Sequence, residues 1–253
     1  MREVIKNRKL LIDADGIIYK YASGLEEEIE WSEDGAGYIT LTTDPHEIFR
    51  RVKQECRALG REYDADPVIC ITDSAKNFRL DFFPDYKGNR VHTRKPLGIK
   101  WVREKLQEMP ETMFRPRLEA DDIIGILATR KAYLKENYPI IWSPDKDMKT
   151  IPGAYIGKDG NEYVNTPELA WEFFLAQCIA GDTTDGVPGA PGFGMKTALE
   201  YLDTYGYTWD TVKMAYSESW TPVSTALMYA RAVRILHASD YNFATQEVIL
   251  WTP

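Results

Sequence analysis

Apolar positions along the first 165 residues follow two alternating rhythms. Unbroken runs of strand length occur at "KLLID" (9–13), "PVICITD" (67–73) and "IIWSPD" (140–145), and each closes on an aspartate. Between them the spacing is helical, at 46–60 with Ile48, Phe49, Val52, Cys56 and Leu59, at 97–109, and from Glu119 to about Lys135. Strand and helix in alternation predict a parallel, twisted α/β sheet flanked by helices. Two further segments, one around Gly35 and "AYIGKDGNEYVN" around Gly160, read as hairpins with a glycine in the turn. Beyond residue 165 four helical patterns follow one another, so a unit at 1–165 and a helical unit at 166–253 are expected.

In such a sheet, ligands bind beyond the carboxyl ends of the strands. Asp13, Asp73 and Asp145 should therefore meet at one edge, and right-handed crossovers return the helix that starts near Glu119 to that same edge. On an ideal helix Glu119 and Asp122 stand about 60° apart, with Asp121 projecting elsewhere. Asp15 and Asp147 bring the edge to eight carboxylates, too many to stay ionised together without counter-charge. An oxygen-only donor set without Cys or His suits a hard cation, Mg²⁺ or Mn²⁺, and two such ions form the clamp for in-line displacement at phosphorus. Any one of these acids has an ordinary explanation in a helix first turn or a loop. Their joint occurrence is what carries the reading.

Composition changes this picture at few points. With 253 residues, 44% hydrophobic and 28% charged, the chain has material for one core and a smaller second unit. No apolar stretch of membrane length occurs and the N-terminus lacks the apolar run of a secretory signal, so a cytoplasmic protein without a membrane partner is expected. Cys56, Cys70 and Cys178 are too scattered for a zinc ribbon or a disulfide framework. The net charge of −8 argues against phosphate binding until its distribution is read. Residues 76–105 hold nine Lys and Arg against three acids, whereas 24–37 hold six acids and no base. Within the basic block, Arg79, Lys87 and Arg90 interleave with Phe78, Phe82, Phe83 and Tyr86, a mixture suited to phosphates and a stacked base. Tyr86 is the stacking candidate; the phenylalanines suit a core. Finally, "GDTTDGVPGAPGFGMKTALEYL" (181–202) places five glycines and two prolines between helices, a shaped turn whose amides, with Gly192, Gly194 and Lys196, suit a phosphodiester backbone.

The ordered motifs "CITDSAKNFR…YKGNR", "LEADDIIGILA", "SPDKDM" and "AGDTTDGVPGAPGFGMKTA" resemble those of the flap endonuclease and 5′-3′ exonuclease family, from about residue 9 to about residue 203. Among its members, the chain resembles the phage exonucleases and the 5′ nuclease domain of bacterial DNA polymerase I. The resemblance implies a PIN-like domain with a small arch near 80–117, and a helix-three-turn-helix element near 174–203. It implies Mg²⁺-dependent hydrolysis of DNA at a 5′ end, nick or flap, in phage-type replication and recombination. RNA primers in RNA–DNA hybrids are further expected substrates of a monomer working in host cytoplasm. The family's two-metal ligands fall on Asp13, Asp73, Glu119, Asp121, Asp122, Asp145, Asp147, Asp182 and Asp185. With those nine acids set aside, the formal charge of −8 becomes +1. Phosphate contacts fall on Lys87 and Arg90, which with Asp122 and Asp145 form the expected catalytic set, and a DNA-gripping turn able to hold K⁺ falls on Gly189 to Lys196. The acidic segment 24–42 lies outside the motifs that carry the resemblance. Two other readings stand beside this one: a non-catalytic DNA-junction module and a PIN-type ribonuclease.

Overall fold

The computed structural model describes residues 8–31, 37–90 and 92–253. β1 (Lys9–Asp13) leads directly into α1 (Ala14–Gly24), a helix the apolar spacing does not announce. The exposed pair β2 (Glu27–Glu30) and β3 (Ile39–Thr42) follows, then α2 (Pro45–Glu62), β4 (Asp66–Cys70), α3 (Ile99–Gln107) and the two-residue β5 (Thr112–Met113). The helix expected from Glu119 to Lys135 is two, α4 (Ala120–Thr129) and α5 (Lys131–Asn137), because Arg130 takes an extended conformation at ψ 110°. Next come β6 (Ile140–Trp142), β7 (Gly153–Ile156) and β8 (Glu162–Asn165), then α6 (Pro167–Ala180), α7 (Met195–Tyr205), α8 (Trp209–Glu218) and α9 (Val223–Val233), with the short pair β9 (Tyr241–Asn242) and β10 (Glu247–Val248) last.

The central sheet runs β5-β4-β1-β6-β7-β8. Its first five strands are parallel, but β8 pairs antiparallel with β7, so the sheet is mixed and not wholly parallel as expected. The hairpin around Gly160 is the cause, since its second strand joins the sheet edge. The other expected hairpin forms from β2 and β3 alone, and its turn around Gly35 lies outside the described residues.

Continuous apolar runs suit strands covered on both faces. Leu10 and Ile12 face one layer, with Ile69 and Ile140, against α1, α2 and α3; Leu11 faces the other, with Cys70 and Ile141, against α4. A third core joins α6 to α9 and takes in Phe83 and Tyr86 from the basic block. Ile235, Leu236 and Tyr241 return to the α4 side of the sheet, so the last segment straps the helical part to the sheet. None of the helices among the described residues is long and apolar enough to cross a membrane.

Candidate active site

Asp13, the last residue of β1, caps α1: its Oδ1 accepts from the Asp15 amide at 3.2 Å and its Oδ2 from the Ser143 hydroxyl at 3.0 Å. Ser143 Oγ in turn accepts from the Asp145 amide at 3.1 Å, tying the ends of two neighbouring strands together. Asp73 accepts from the amides of Ala75 (2.9 Å) and Arg117 (2.7 Å), which fixes the loop beyond β4. Asp13, Asp73, Glu119, Asp121 and Asp145 all line one cleft of about 750 Å³. The convergence expected of the strand ends is therefore present. Burial, with Asp15 and Asp145 nearby, pushes the Asp13 carboxyl up to about 7; burial with Asp122 and Glu119 beside it holds Asp121 well above the usual carboxylate range.

The cleft's cations already answer part of that charge. Lys87 Nζ meets Glu119 Oε1 at 2.5 Å, and Arg90 meets Asp185 Oδ1 at 2.9 Å. Lys87 holds this place in a left-handed conformation (φ 56°) while its amide donates to the Asp185 carbonyl at 2.8 Å. A strained non-glycine backbone at a cleft cation marks a position where geometry outweighs local comfort. Arg94, Lys95 and Arg103 line the same cleft. Arg103 binds Asp15 Oδ1 at 2.7 Å, so Asp15 is an ion-pair partner on the cleft wall.

Asp147, Asp182 and Asp185 do not line the cleft itself. Asp185 reaches it through Lys87, Arg90 and the Tyr86 hydroxyl. Asp182 caps the turn after α6, accepting from the Thr184 amide at 2.9 Å. Asp147 Oδ1 is buried and accepts no hydrogen bond; burial, Asp145 and Asp182 push its carboxyl up to about 7. A buried carboxylate oxygen facing other acids with no donor is the environment of a cation ligand. Together with the all-oxygen donor set, it fits a hard metal ion.

Three of the expected site residues are already engaged inside the protein. Asp122 is fully buried, and all its acceptor positions are filled: Oδ1 by Arg79 at 2.8 Å and the Leu236 amide at 3.2 Å, Oδ2 by Arg79 at 2.8 Å and the Glu119 amide at 3.2 Å. Oxygens of Glu119, Asp121 and Asp122 do lie within 4.8 Å of one another, but only the first two face the cleft. The ideal-helix spacing misleads here because Glu119 is the N-cap, at ψ 164°, and not a helical residue. Arg79, expected on DNA, is 1% exposed and spends its guanidinium on Asp122 and on the carbonyls of Ala232 and Arg234. Tyr86, expected to stack on a base, is buried with its hydroxyl donating to Glu119 at 2.7 Å. Sequence reasoning passed over Arg103 on the cleft wall and Ser143, which bridges Asp13 and Asp145; both stood inside segments already singled out, the basic block and the "SPDKDM" motif.

The glycine-rich turn spans 181–194, between α6 and α7. Gly181 and Gly189 both have φ 73°, and a Cβ on Gly189 would stand 2.5 Å from the Ala180 carbonyl carbon. Gly192 is left-handed for conformation alone, with open space around it. Gly194 caps α7, its amide donating to Thr197 Oγ1 at 2.9 Å, and Lys196 in the first turn is exposed. Asn89 and Arg90 donate to the carbonyls of Thr183 and Thr184, locking this turn to the Lys87 loop.

A crowd of carboxylates at parallel strand ends, faced by Lys and Arg in an open cleft, is the arrangement that a metal-assisted hydrolase of phosphate esters requires. Residues 8–156 match the 5′-3′ exonuclease N-terminal, resolvase-like domain. The exodeoxyribonuclease of Enterobacteria phage T3 is 26% identical over 96% of this chain and 92% of its own length, and the 5′-3′ exonuclease of Buchnera aphidicola (subsp. Schizaphis graminum) is 32% identical over 78% and 71%. Among solved structures, the T5 D15 protein co-crystallised with metal ions is similar with a TM-score of 0.64 at 15% identity, over 90% of this chain and 89% of that one. The T5 D15 flap endonuclease in a complex with DNA and metal ions gives 0.62 at 15% identity, over 90% and 89%. The chain belongs to the 5′-3′ exonuclease family, hydrolases of DNA phosphodiester bonds.

Proposed function

We propose that this protein hydrolyses DNA at 5′ ends, nicks and flaps, using two Mg²⁺ or Mn²⁺ ions held by Asp13, Asp73, Glu119, Asp121 and Asp145, with Asp147, Asp182 and Asp185 completing the set. The observation that carries this is the meeting of the strand-end acids in one cleft with Lys87 and Arg90, next to a buried Asp147 oxygen without a donor. When bound, the ions supply an activated water and stabilise the leaving oxygen. Lys87 and Arg90 now satisfy Glu119 and Asp185; a phosphodiester offers them the same charge-assisted bonds and is steadied by them. The Ser143 bridge keeps Asp13 and Asp145 at a fixed separation.

In the same reading, α6, the glycine-rich turn and α7 form a helix-three-turn-helix that grips duplex backbone through amides and Lys196, with K⁺ as its ion. The small arch expected within 80–117 is confined to the part before α3, since α3 and β5 pack into the sheet and its layers, and the protein works as a monomer in the cytoplasm. Labelled 5′-flap, nicked and blunt duplexes, as DNA and as RNA–DNA hybrid, test the proposal with Mg²⁺ and with EDTA. Release of 5′ products in Mg²⁺ alone is expected, and intact substrate with either metal would end it.

A further inference from the structure

Arg79 is unusual among the cations of this chain because it touches neither solvent nor the open cleft. Its Nε donates to the Ala232 carbonyl at 2.8 Å, one terminal nitrogen to Asp122 at 2.8 Å, and the other to Asp122 at 2.8 Å and to the Arg234 carbonyl at 2.7 Å. The remaining edge stands 3.5 Å from Glu119 Oε2, and the guanidinium lies over the Tyr86 ring at 5.4 Å. Every donor is thus directed at the N-terminus of α4, at the last turn of α9 or at the strap that follows it.

The cleft acids depend on this arrangement. Asp122 closes a capping box with Glu119 and accepts from the strap amide of Leu236, so α4 can neither rotate nor slide without breaking the fork. Tyr86 carries the constraint outward, its hydroxyl donating to Glu119 at 2.7 Å and standing 2.9 Å from Asp185, so that its one proton lies between the two acids. We propose that Arg79 is the positioning residue of the metal edge: by clamping Asp122 to the end of α9 and the strap beyond it, it aims Glu119 and Asp121 into the cleft. This rests on the metal-dependent reading above and adds a partner that the open cleft does not reveal. A buried fork that orients acids without touching an ion acts as outer-shell support, whose loss costs about 10- to 100-fold in metal affinity or activity.

The test uses the full chain. Mn²⁺ binding is read by electron paramagnetic resonance, and kcat and KM on a 5′-flap duplex, for wild type, Arg79→Lys and the double variant Arg79→Met/Asp122→Leu. The double variant leaves no unmatched buried charge and is expected to fold. Its Mn²⁺ affinity should fall by about tenfold or more and kcat with it, while KM for DNA stays within about twofold. Arg79→Lys keeps a charge but not the fork, and should lie between the two. Wild-type Mn²⁺ affinity and kcat in either folded variant would overturn the role of Arg79 and leave the nuclease reading standing. Loss of fold in both variants would overturn it too, assigning the pair to stability alone. A wild type that binds no Mn²⁺ would remove the nuclease reading and this inference together.

Discussion

Asp121 and Asp122 are consecutive residues in the first turn of α4, yet one lines an open cleft and the other is sealed behind it. The amide of Asp122 donates to Asp121 at 2.6 Å, while four donors surround Asp122. Around the cleft, like charges face one another and the Asp13 and Asp121 carboxyls are pushed up; behind it, each charge has its partner in hydrogen-bonding contact. The difference separates what the two regions are built for. A charge left short of partners keeps the capacity to bind something, whereas a satisfied one can only hold shape.

The sharpest way to break this comparison is to neutralise one acid on each side. Asp145→Asn should leave the melting temperature near wild type and lower turnover by about a thousandfold or more, about 4 kcal/mol in barrier. Asp122→Asn leaves Arg79 buried without its carboxylate, and should cost about 3 kcal/mol or more of stability. Thermal unfolding with flap cleavage on the same preparations decides it. A stable Asp122→Asn whose turnover falls as far as that of Asp145→Asn, beyond the roughly 10- to 100-fold of a positioning role, would make the sealed acid part of the chemistry after all.

That pairing also marks how far the sequence could be read. The strand ends were legible because a buried run that stops at an aspartate says both where the strand is and where its acid points: Asp13, Asp73 and Asp145 reach the cleft as expected. Arg79 was not legible, since "NFRLDFF" looks the same whether its cation faces a phosphate or a carbonyl 153 residues away. Asp15 likewise finds Arg103 across 88 residues of sequence. Periodicity describes a residue's side of its own element; which distant group meets it there is decided by packing. The mixed sheet was half legible, the turn at Gly160 being visible and the sheet edge that its strand joins being not.

A smaller effect separates the regions by pH. His237 lies in the strap, its ring beside the Thr150 carbonyl and near Arg234 and Asp240; burial and the Arg234 cation lower it to about 4. The unfolded chain takes up this proton near pH 6.5 but the folded one only near 4, so the contribution of His237 to stability is present above 6.5 and lost as pH falls through that window. At about 1.4 kcal/mol per unit, the loss over the whole window is on the order of 3 to 4 kcal/mol. Asp13 and Asp147, raised, run in the opposite sense in metal-free protein. Urea midpoints at pH 4.5 and 7.5 for wild type and His237→Gln isolate the strap, because the cleft acids cancel in the difference. Equal pH dependence in the two proteins would show that the strap is not the acid-sensitive region.

The smallest expected effect lies on the third region, the turn between α6 and α7. Lys196 is exposed, 3.8 Å from Glu200 across one helical turn, in a pairing too weak to hold it from a phosphate. If this turn grips duplex backbone, Lys196→Ala removes about one phosphate contact, and the slope of log affinity against log salt should flatten by about 0.9. The affinity lost at physiological salt is then on the order of 1 kcal/mol, against the fold-defining cost of disturbing Gly189, where a Cβ would meet the backbone of Ala180. Fluorescence anisotropy of a nicked duplex across a salt series, with EDTA to prevent cleavage, measures the slope directly. An unchanged slope would place the duplex elsewhere and leave Gly181 and Gly189 as the devices of a tight helical connection, since their left-handed backbone serves close packing whether or not DNA is bound.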